Sequence, residues 1–279
     1  RHVPQILTDS LNPSFNNATD WQGLFYQNGL IHNADFSISA GNDVLNYRVG
    51  ANYYTEDGIV RQTGFSRYAL RGNFDFKVTK NVSANFNLSL ARLNRKRGLG
   101  KGNNDILPIN NTSIPSSLYA LPQLDKDFYL GQYNDVRDVN LSDQVSAYLQ
   151  LNYDIIPGIQ YSLQGSFSKT TDLRERFQPK EITSDNRSFG SNERSDYEQF
   201  YVANVLTLSK SFNNTHNLGF VAVQSFQLDT KRGAYIYGYN IPGGTIQVIS
   251  GVPQKDLSAS SGYQQSGLLN CAAHRYLFL

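Results

Sequence analysis

Apolar side chains occupy every second position along several long stretches of this chain. Within residues 82–91 one phase is apolar and the other is mostly serine and asparagine: Val82, Ala84, Phe86, Leu88 and Leu90 against Ser83, Asn85, Asn87, Ser89 and Ala91. A period of two is typical of a β-strand with one apolar and one polar face. A run of about ten residues is the length that a tilted strand needs to cross a bilayer, whereas strands in soluble domains usually have about five or six. The pattern therefore predicts the wall of a membrane-spanning β-barrel.

The same alternation recurs along most of the chain. Further strands are predicted within residues 35–40, 45–53, 67–77, 145–153, 159–167, 201–208 and 218–228, although the phases at 201–208 are less regular. Only the start of one more strand is expected, near Leu268. We therefore predict an all-β fold, an antiparallel meander of about eight or nine strands that forms part of a large transmembrane barrel.

The predicted connections alternate between short and long. Short turns fall near residues 42, 79, 157 and 214, and longer connections fall near 60, 118, 184 and 248. The three longest loops are expected at about 95–141, 172–196 and 230–266. Outer-membrane barrels have short periplasmic turns and long extracellular loops, and the alternation predicts this arrangement.

Charged residues within the strands avoid the apolar phase. A cation facing lipid at the midplane costs about 2–4 kcal/mol, so charges are expected on the opposite face. The sequence therefore predicts a set of lumen-facing residues: Arg48, Arg71, Asp75 and Lys77.

Composition excludes several other classes of function. The net charge of +2 gives no reason to expect a nucleic-acid partner, and Cys271 alone can form neither a disulfide framework nor a cysteine metal cluster. Four scattered histidines match no metal-ligand spacing, and no nucleophile motif is present. We expect neither an enzyme nor a bound cofactor or metal.

Tyrosines are concentrated in two of the predicted loops. Exposed aromatic rings suit stacking on sugars or partner surfaces, although local packing within the loops explains them equally well. They are predicted substrate-binding residues: Tyr119, Tyr129 and Tyr133 in the first long loop, and Tyr235, Tyr237 and Tyr239 in the third.

Several segments resemble one known family. Thr19-Asp20-Trp21-Gln22, residues 33–41 (NADFSISAG) and residues 47–71 (YRVGANYYTEDGIVRQTGFSRYALR) are similar to the first barrel strands of SusC/RagA-like TonB-linked outer-membrane transporters. The resemblance covers roughly residues 19–95. It implies import of large nutrients, typically oligosaccharides or peptides, across the outer membrane of Bacteroidetes-type Gram-negative bacteria.

The resemblance also implies partners and a larger protein. Such transporters have an N-terminal plug, a segment that contacts the TonB complex, and a 22-stranded barrel in outer-membrane lipid, and they pair with a SusD-like surface lipoprotein. Neither plug nor TonB segment is recognisable here, so we expect a fragment: residues 1–32 as a loop leading into the barrel and residues 33–279 as partial barrel wall. Residues 270–275 depart from the tyrosine-rich strand of the family.

Two alternative functions are left open by the residues alone. One is a soluble or secreted glycan-binding β-sandwich. The other is a lipid-modifying enzyme on a small outer-membrane barrel, whose activity would depend on a histidine such as His32 or His216.

Overall fold

The computed structural model describes residues 26–97, 135–180, 185–212, 216–242 and 249–278, with the isolated positions 18, 20, 23 and 183. They form one nine-stranded antiparallel sheet in which every strand pairs with the next one along the chain. The strands are β1 (Ile31–Gly41), β2 (Leu45–Asp57), β3 (Thr63–Lys77), β4 (Val82–Arg97), β5 (Arg137–Ile156), β6 (Ile159–Gln178), β7 (Phe189–Phe212), β8 (His216–Tyr239) and β9 (Leu257–Phe278). No helix in this part of the chain has the length and apolar character needed to cross a membrane.

The register separates the side chains into two faces. Directly opposed residues of antiparallel strands point to the same side, so the pairs Val49–Gly72 and Leu88–Ala147 place the predicted apolar phases together. On this apolar face Phe36, Leu70 and Leu149 are 66%, 53% and 42% exposed. No second sheet covers it within the described residues, which excludes a β-sandwich there. The open apolar band is the surface expected to face lipid.

The strands are tilted relative to the ends of the sheet. At the short-turn end, β1 stops at Gly41, level with Asn46 of β2. The β7–β8 pair continues to Phe212 and His216, about nine residues farther along the register. A stepwise drop of this kind across neighbouring strands is the geometry of a barrel wall.

The connections confirm the predicted alternation. All short turns lie at one end of the sheet and all longer connections lie at the other, including the 39 residues between β4 and β5. Gly158 in the turn between β5 and β6 has a φ of +87°, a conformation that favours glycine. Residues 213–215, where the fourth short turn was predicted, lie outside the described residues.

The strands run farther than predicted at the long-loop end. Residues 172–178, 189–196 and 232–239, predicted as loop, extend β6, β7 and β8, and we call them the long-loop extension. Polar and charged residues interrupt the hydrophobic alternation in these parts of β6 and β7, but cross-strand polar pairs continue the sheet, such as Thr171 Oγ1 donating to Asp196 Oδ1 at 2.7 Å. β9 was also underestimated: it is a full 22-residue strand paired with β8 through Cys271.

A small buried cluster stabilises the long-loop extension. Phe177 is 2% exposed and lies opposite Gly190, and Ile241 Cδ1 fills the space that a side chain at Gly190 would need. The Ser188 hydroxyl donates to the Ile241 carbonyl oxygen at 2.8 Å. The cluster therefore fixes the strands of the long-loop extension, beyond the end of the apolar band.

Candidate substrate-binding face

The face opposite the apolar band carries the charged residues predicted to be lumen-facing. Arg48 is opposite Asn73, Gly50 is opposite Arg71, and Lys77 is opposite Ser83. With the alternation along β3, the register places all four predicted residues on this polar face: Arg48, Arg71, Asp75 and Lys77. The structure therefore brings them together on β2 and β3.

Side-chain amides line much of the polar face. Asn52 Nδ2 donates to Asn33 Oδ1 at 2.8 Å and to Asp35 Oδ1 at 2.7 Å. Asn85 Nδ2 donates to Asp75 Oδ1 at 2.5 Å. A further network joins Tyr148, Gln150, Asn152 and Ser162 across β5 and β6. A surface of this kind offers many donors and acceptors to a polar ligand.

Tyr235, Tyr237 and Tyr239 lie in β8 rather than in a loop, which corrects that part of the prediction. Their cross-strand partners Glu193, Ser191 and Phe189 place all three on the polar face, at its long-loop end. Neighbouring ring centroids are 5.3 Å apart for Tyr235–Tyr237 and 6.2 Å apart for Tyr237–Tyr239. A fixed strand presents these half-buried rings as a continuous row.

The tyrosine row is supported by aromatic and cationic neighbours. The Phe189 ring is 5.5 Å from that of Tyr239, and the Arg176 guanidinium lies 5.6 Å from the Phe189 ring. Arg187 lies 4.5 Å from the Tyr239 ring and also hydrogen-bonds to Asp185, which holds the pKa of that carboxyl below its usual range. These contacts fix the row and leave ring surface available for stacking.

Sequence reasoning missed part of this face. Phe65 and Phe189 are at strand positions whose phase places them beside the tyrosines and arginines of the polar face. Only the register reveals this, since Phe65 borders a predicted connection and Phe189 lies within the loop predicted at 172–196. The remaining predicted substrate-binding residues, Tyr119, Tyr129 and Tyr133, lie outside the described residues.

The enzyme alternative finds no support in the positions of the histidines. His32 lies near the long-loop end of β1, and His216 is the first residue of β8 at the short-turn end. Two residues at opposite ends of the strands cannot meet at one rim, so they do not form one catalytic site.

On the polar face, an ion pair joins β5 and β6. Arg174 donates to both carboxylate oxygens of Asp138, at 3.0 and 2.7 Å, and the Asp138 side chain is only 5% exposed. A bidentate pair of this kind fixes both side chains. Arg174 also lines a cavity of about 480 Å³, together with Phe65 and Arg95.

Comparisons with known proteins identify relatives over most of the chain. Over 236 residues, 78% of this chain, it is 25% identical to TonB-dependent receptor P3 of Formosa agariphila, and over 93 residues it is 30% identical to TonB-dependent receptor P26 of the same organism. The chain spans 23% of the length of the first and 9% of the second. No protein-family model matches the chain.

Solved structures of similar fold include two transporters. The chain aligns with a chain of the RagAB peptide transporter with a TM-score of 0.74 and 17% identity, covering 96% of this chain and 32% of that one. The ferric citrate transporter FecA aligns with a TM-score of 0.54 and 11% identity, over 90% and 35% of the two chains. These relatives confirm the resemblance to TonB-linked outer-membrane transporters and the predicted barrel-wall fold, and receptors of this kind are not enzymes.

Proposed function

We propose that this chain, whose fold and relatives are those of TonB-linked outer-membrane receptors, forms part of the barrel wall of an importer for large nutrients. The polar face would line the lumen, and the long-loop end would contribute surfaces that capture an oligosaccharide or a peptide. The observation that carries the proposal is the nine-stranded meander with one exposed apolar face and one hydrogen-bonding face. Such a sheet is stable in a bilayer only as part of a closed wall.

The same arrangement suggests a role for each segment of the chain. Residues 1–32 would lead into the barrel, and residues 33–279 would form wall. Arg48, Arg71, Asp75 and Lys77 would face the lumen, and Tyr235, Tyr237 and Tyr239 would contact substrate near its entrance, together with Tyr119, Tyr129 and Tyr133 in the first long loop. Stacking on rigid tyrosines binds flat sugar or peptide surfaces at a low cost in conformational entropy.

The proposed partners lie on both sides of the membrane. A SusD-like surface lipoprotein would cover the long-loop end, and the TonB complex would supply energy through a plug segment outside this chain. The peptide transporter named RagAB and the receptors of Formosa agariphila support an outer membrane of the Bacteroidetes type as the location.

Uptake by cells that carry the complete receptor tests the proposal. Labelled oligosaccharides and labelled peptides are offered to wild-type cells, to cells lacking the receptor gene and to cells lacking TonB. We expect both deletions to abolish uptake of one of the two classes. Unchanged uptake of both classes in the receptor deletion would contradict the proposal. Co-purification of a surface lipoprotein with the tagged receptor tests the partner separately.

A further inference from the structure

Four arginines lie on the polar face of β2, β3 and β4 at successive levels. Arg95 is opposite Phe65, Arg67 is opposite Leu93, Arg71 is opposite Ser89, and Arg48 is opposite Asn73. Counted along the register they are two, four and two residues apart, which corresponds to about 27 Å in total at roughly 3.4 Å per residue. We call these four residues the arginine track. It runs along the polar face from Arg95, nearest the long-loop end, to Arg48, which lies behind the apolar band of the opposite face.

The arginine track follows a groove rather than a flat surface. Arg95 and Arg67 line a cavity of about 510 Å³ with Tyr54, Phe65 and Glu56, whose carboxylate accepts a hydrogen bond from the Tyr54 hydroxyl at 3.0 Å. Arg67 also lines the next cavity, of about 560 Å³, with Arg71 and Arg48. Because Arg67 lines both, the two cavities adjoin.

The upper two arginines are held on aromatic rings. The Arg67 guanidinium lies 5.7 Å from the Tyr54 ring centroid, and that of Arg95 lies 5.6 Å from the Phe65 ring centroid. Arg67 Nη2 also donates to Asn52 Oδ1 at 3.0 Å. Stacking orients a guanidinium without neutralising its charge, so its remaining N–H groups stay available to an anion.

The lower two arginines have no carboxylate partner. Within the residues that the structure describes, neither Arg48 nor Arg71 makes an ion pair or a side-chain hydrogen bond. The nearby Asp35 accepts hydrogen bonds from Asn33 and Asn52, and Asp75 accepts one from Asn85. These carboxylates keep their charge, but among the described residues neither forms an ion pair with Arg48 or Arg71, so the N–H groups of both guanidinium groups stay available on adjacent strands.

We infer that the arginine track, four guanidinium groups along one continuous groove, selects a substrate that carries several carboxylate or sulfate groups. The inference rests on the proposed import function. A guanidinium binds either oxyanion through paired N–H donors. A series of cations leading inward from the long-loop end suits a polymer with repeated charges, because each group released by one arginine meets the next. Lys77, two residues below Asp75 on the same face, adds a cation beyond Arg48.

Equilibrium dialysis of the complete, detergent-solubilised receptor tests the charge preference. The probes form three matched pairs offered as one mixture: oligogalacturonate and its methyl ester, sulfated and unsulfated dextran oligomers, and a glutamate-rich peptide and its glutamine counterpart. Mass spectrometry gives the retained ratio of charged to neutral member. We expect a ratio of about ten or more for at least one pair at low ionic strength, which falls steeply in about 1 M salt. The pair with the largest ratio distinguishes carboxylate from sulfate.

Substitutions assign the preference to the arginine track. Arg48→Gln with Arg71→Gln should reduce the ratio to near one, whereas Arg48→Lys with Arg71→Lys should keep part of it because the charge remains. The matched control removes two exposed lysines outside the groove, Lys80→Gln with Lys255→Gln, and should leave the ratio unchanged.

Three outcomes would overturn the inference, and a fourth would contradict the proposed function as well. Equal retention of charged and neutral members would contradict it, as would a preference that survives in the Arg48→Gln, Arg71→Gln receptor. Loss of the folded, heat-modifiable form in both the glutamine and the lysine variants would show that the two arginines stabilise the receptor's fold instead of binding substrate. Retention of no probe by the wild-type receptor would contradict the proposed import of these substrate classes itself.

Discussion

The consequence of a charged residue in this sheet depends on which face it occupies. Arg92 falls on the apolar phase and is paired through two hydrogen bonds, of 2.6 and 2.8 Å, with Asp143 on the next strand. Arg48 and Arg71 lie on the polar face and have no such partner among the described residues. A charge near hydrocarbon is costly unless it is paired, whereas a charge facing water is not. The phase of each arginine was readable from the sequence, but its pairing was not.

Burial at single positions is concentrated in the cluster around Phe177. We expect Phe177→Ala to lower the stability of the long-loop extension by about 3 kcal/mol, because a buried ring is lost and its space stays empty. Hydrogen exchange of β6 and β7 amides in the complete receptor measures the change as easier local opening. Ile236→Ala is the control: Ile236 lies in the same extension, is 37% exposed, and should change the opening free energy by about 1 kcal/mol or less, well below the effect of Phe177→Ala. Equal effects of the two substitutions would contradict the cluster's role.

The strands themselves were predictable only where one face meets an apolar medium. In β2, β3 and β4 the alternation is regular, and the structure pairs those strands in the predicted phases. In β6, β7 and β8 the prediction stopped at the end of the apolar band, although the hydrogen-bonded ladder continues to Gln178, Phe189 and Tyr239. In β6 and β7 polar side chains interrupt the apolar phase there, and in β8 the tyrosines alternate with Ala234, Ile236 and Gly238, so no apolar–polar alternation marks the strand. For this reason half of the predicted tyrosines were placed in a loop instead of on a strand.

The turn between β5 and β6 depends on a glycine at position 158. A side chain at Gly158 would require an unfavourable positive φ, and its Cβ would lie 2.3 Å from the Ser209 carbonyl oxygen. We expect Gly158→Ala to cost about 1–3 kcal/mol and to lower the midpoint of heat-induced unfolding of the complete receptor.

Gly165→Ala provides the matched control for that turn. Gly165 lies within β6, has an ordinary negative φ, and an added Cβ there would meet no atom within 4 Å. Its unfolding midpoint, read from heat-modifiable migration, should match that of the wild-type receptor. A turn variant as stable as this control would refute the argument from positive φ.

At the scale of the whole molecule, the two edges of the sheet decide what the chain can do alone. β1 and β9 each pair on one side only in the nine-stranded order. In a bilayer, unpaired N–H and C=O groups along an edge find no water and cost several kcal/mol each. The chain spans 23% of the length of TonB-dependent receptor P3, and in a receptor of that length we expect further strands to pair with both edges. The barrel-wall fold was therefore readable from alternation and loop lengths, whereas closure was not, and the orientation of the turns and loops in the membrane stays a prediction.

The two unpaired edges determine how residues 1–279 should behave when they are produced alone. Residues 1–279 produced alone and mixed with lipid vesicles should not transport any of the oligosaccharide or peptide probes, because nine strands cannot close a barrel as wide as the 22-stranded transporters. The measurement is entrapped probe inside vesicles, with the complete receptor and its energy source reconstituted in parallel. We also expect the isolated segment to migrate identically with and without heating, since an unclosed sheet has no resistant folded form. Uptake by the segment alone would mean that its edges pair with each other or with a second copy.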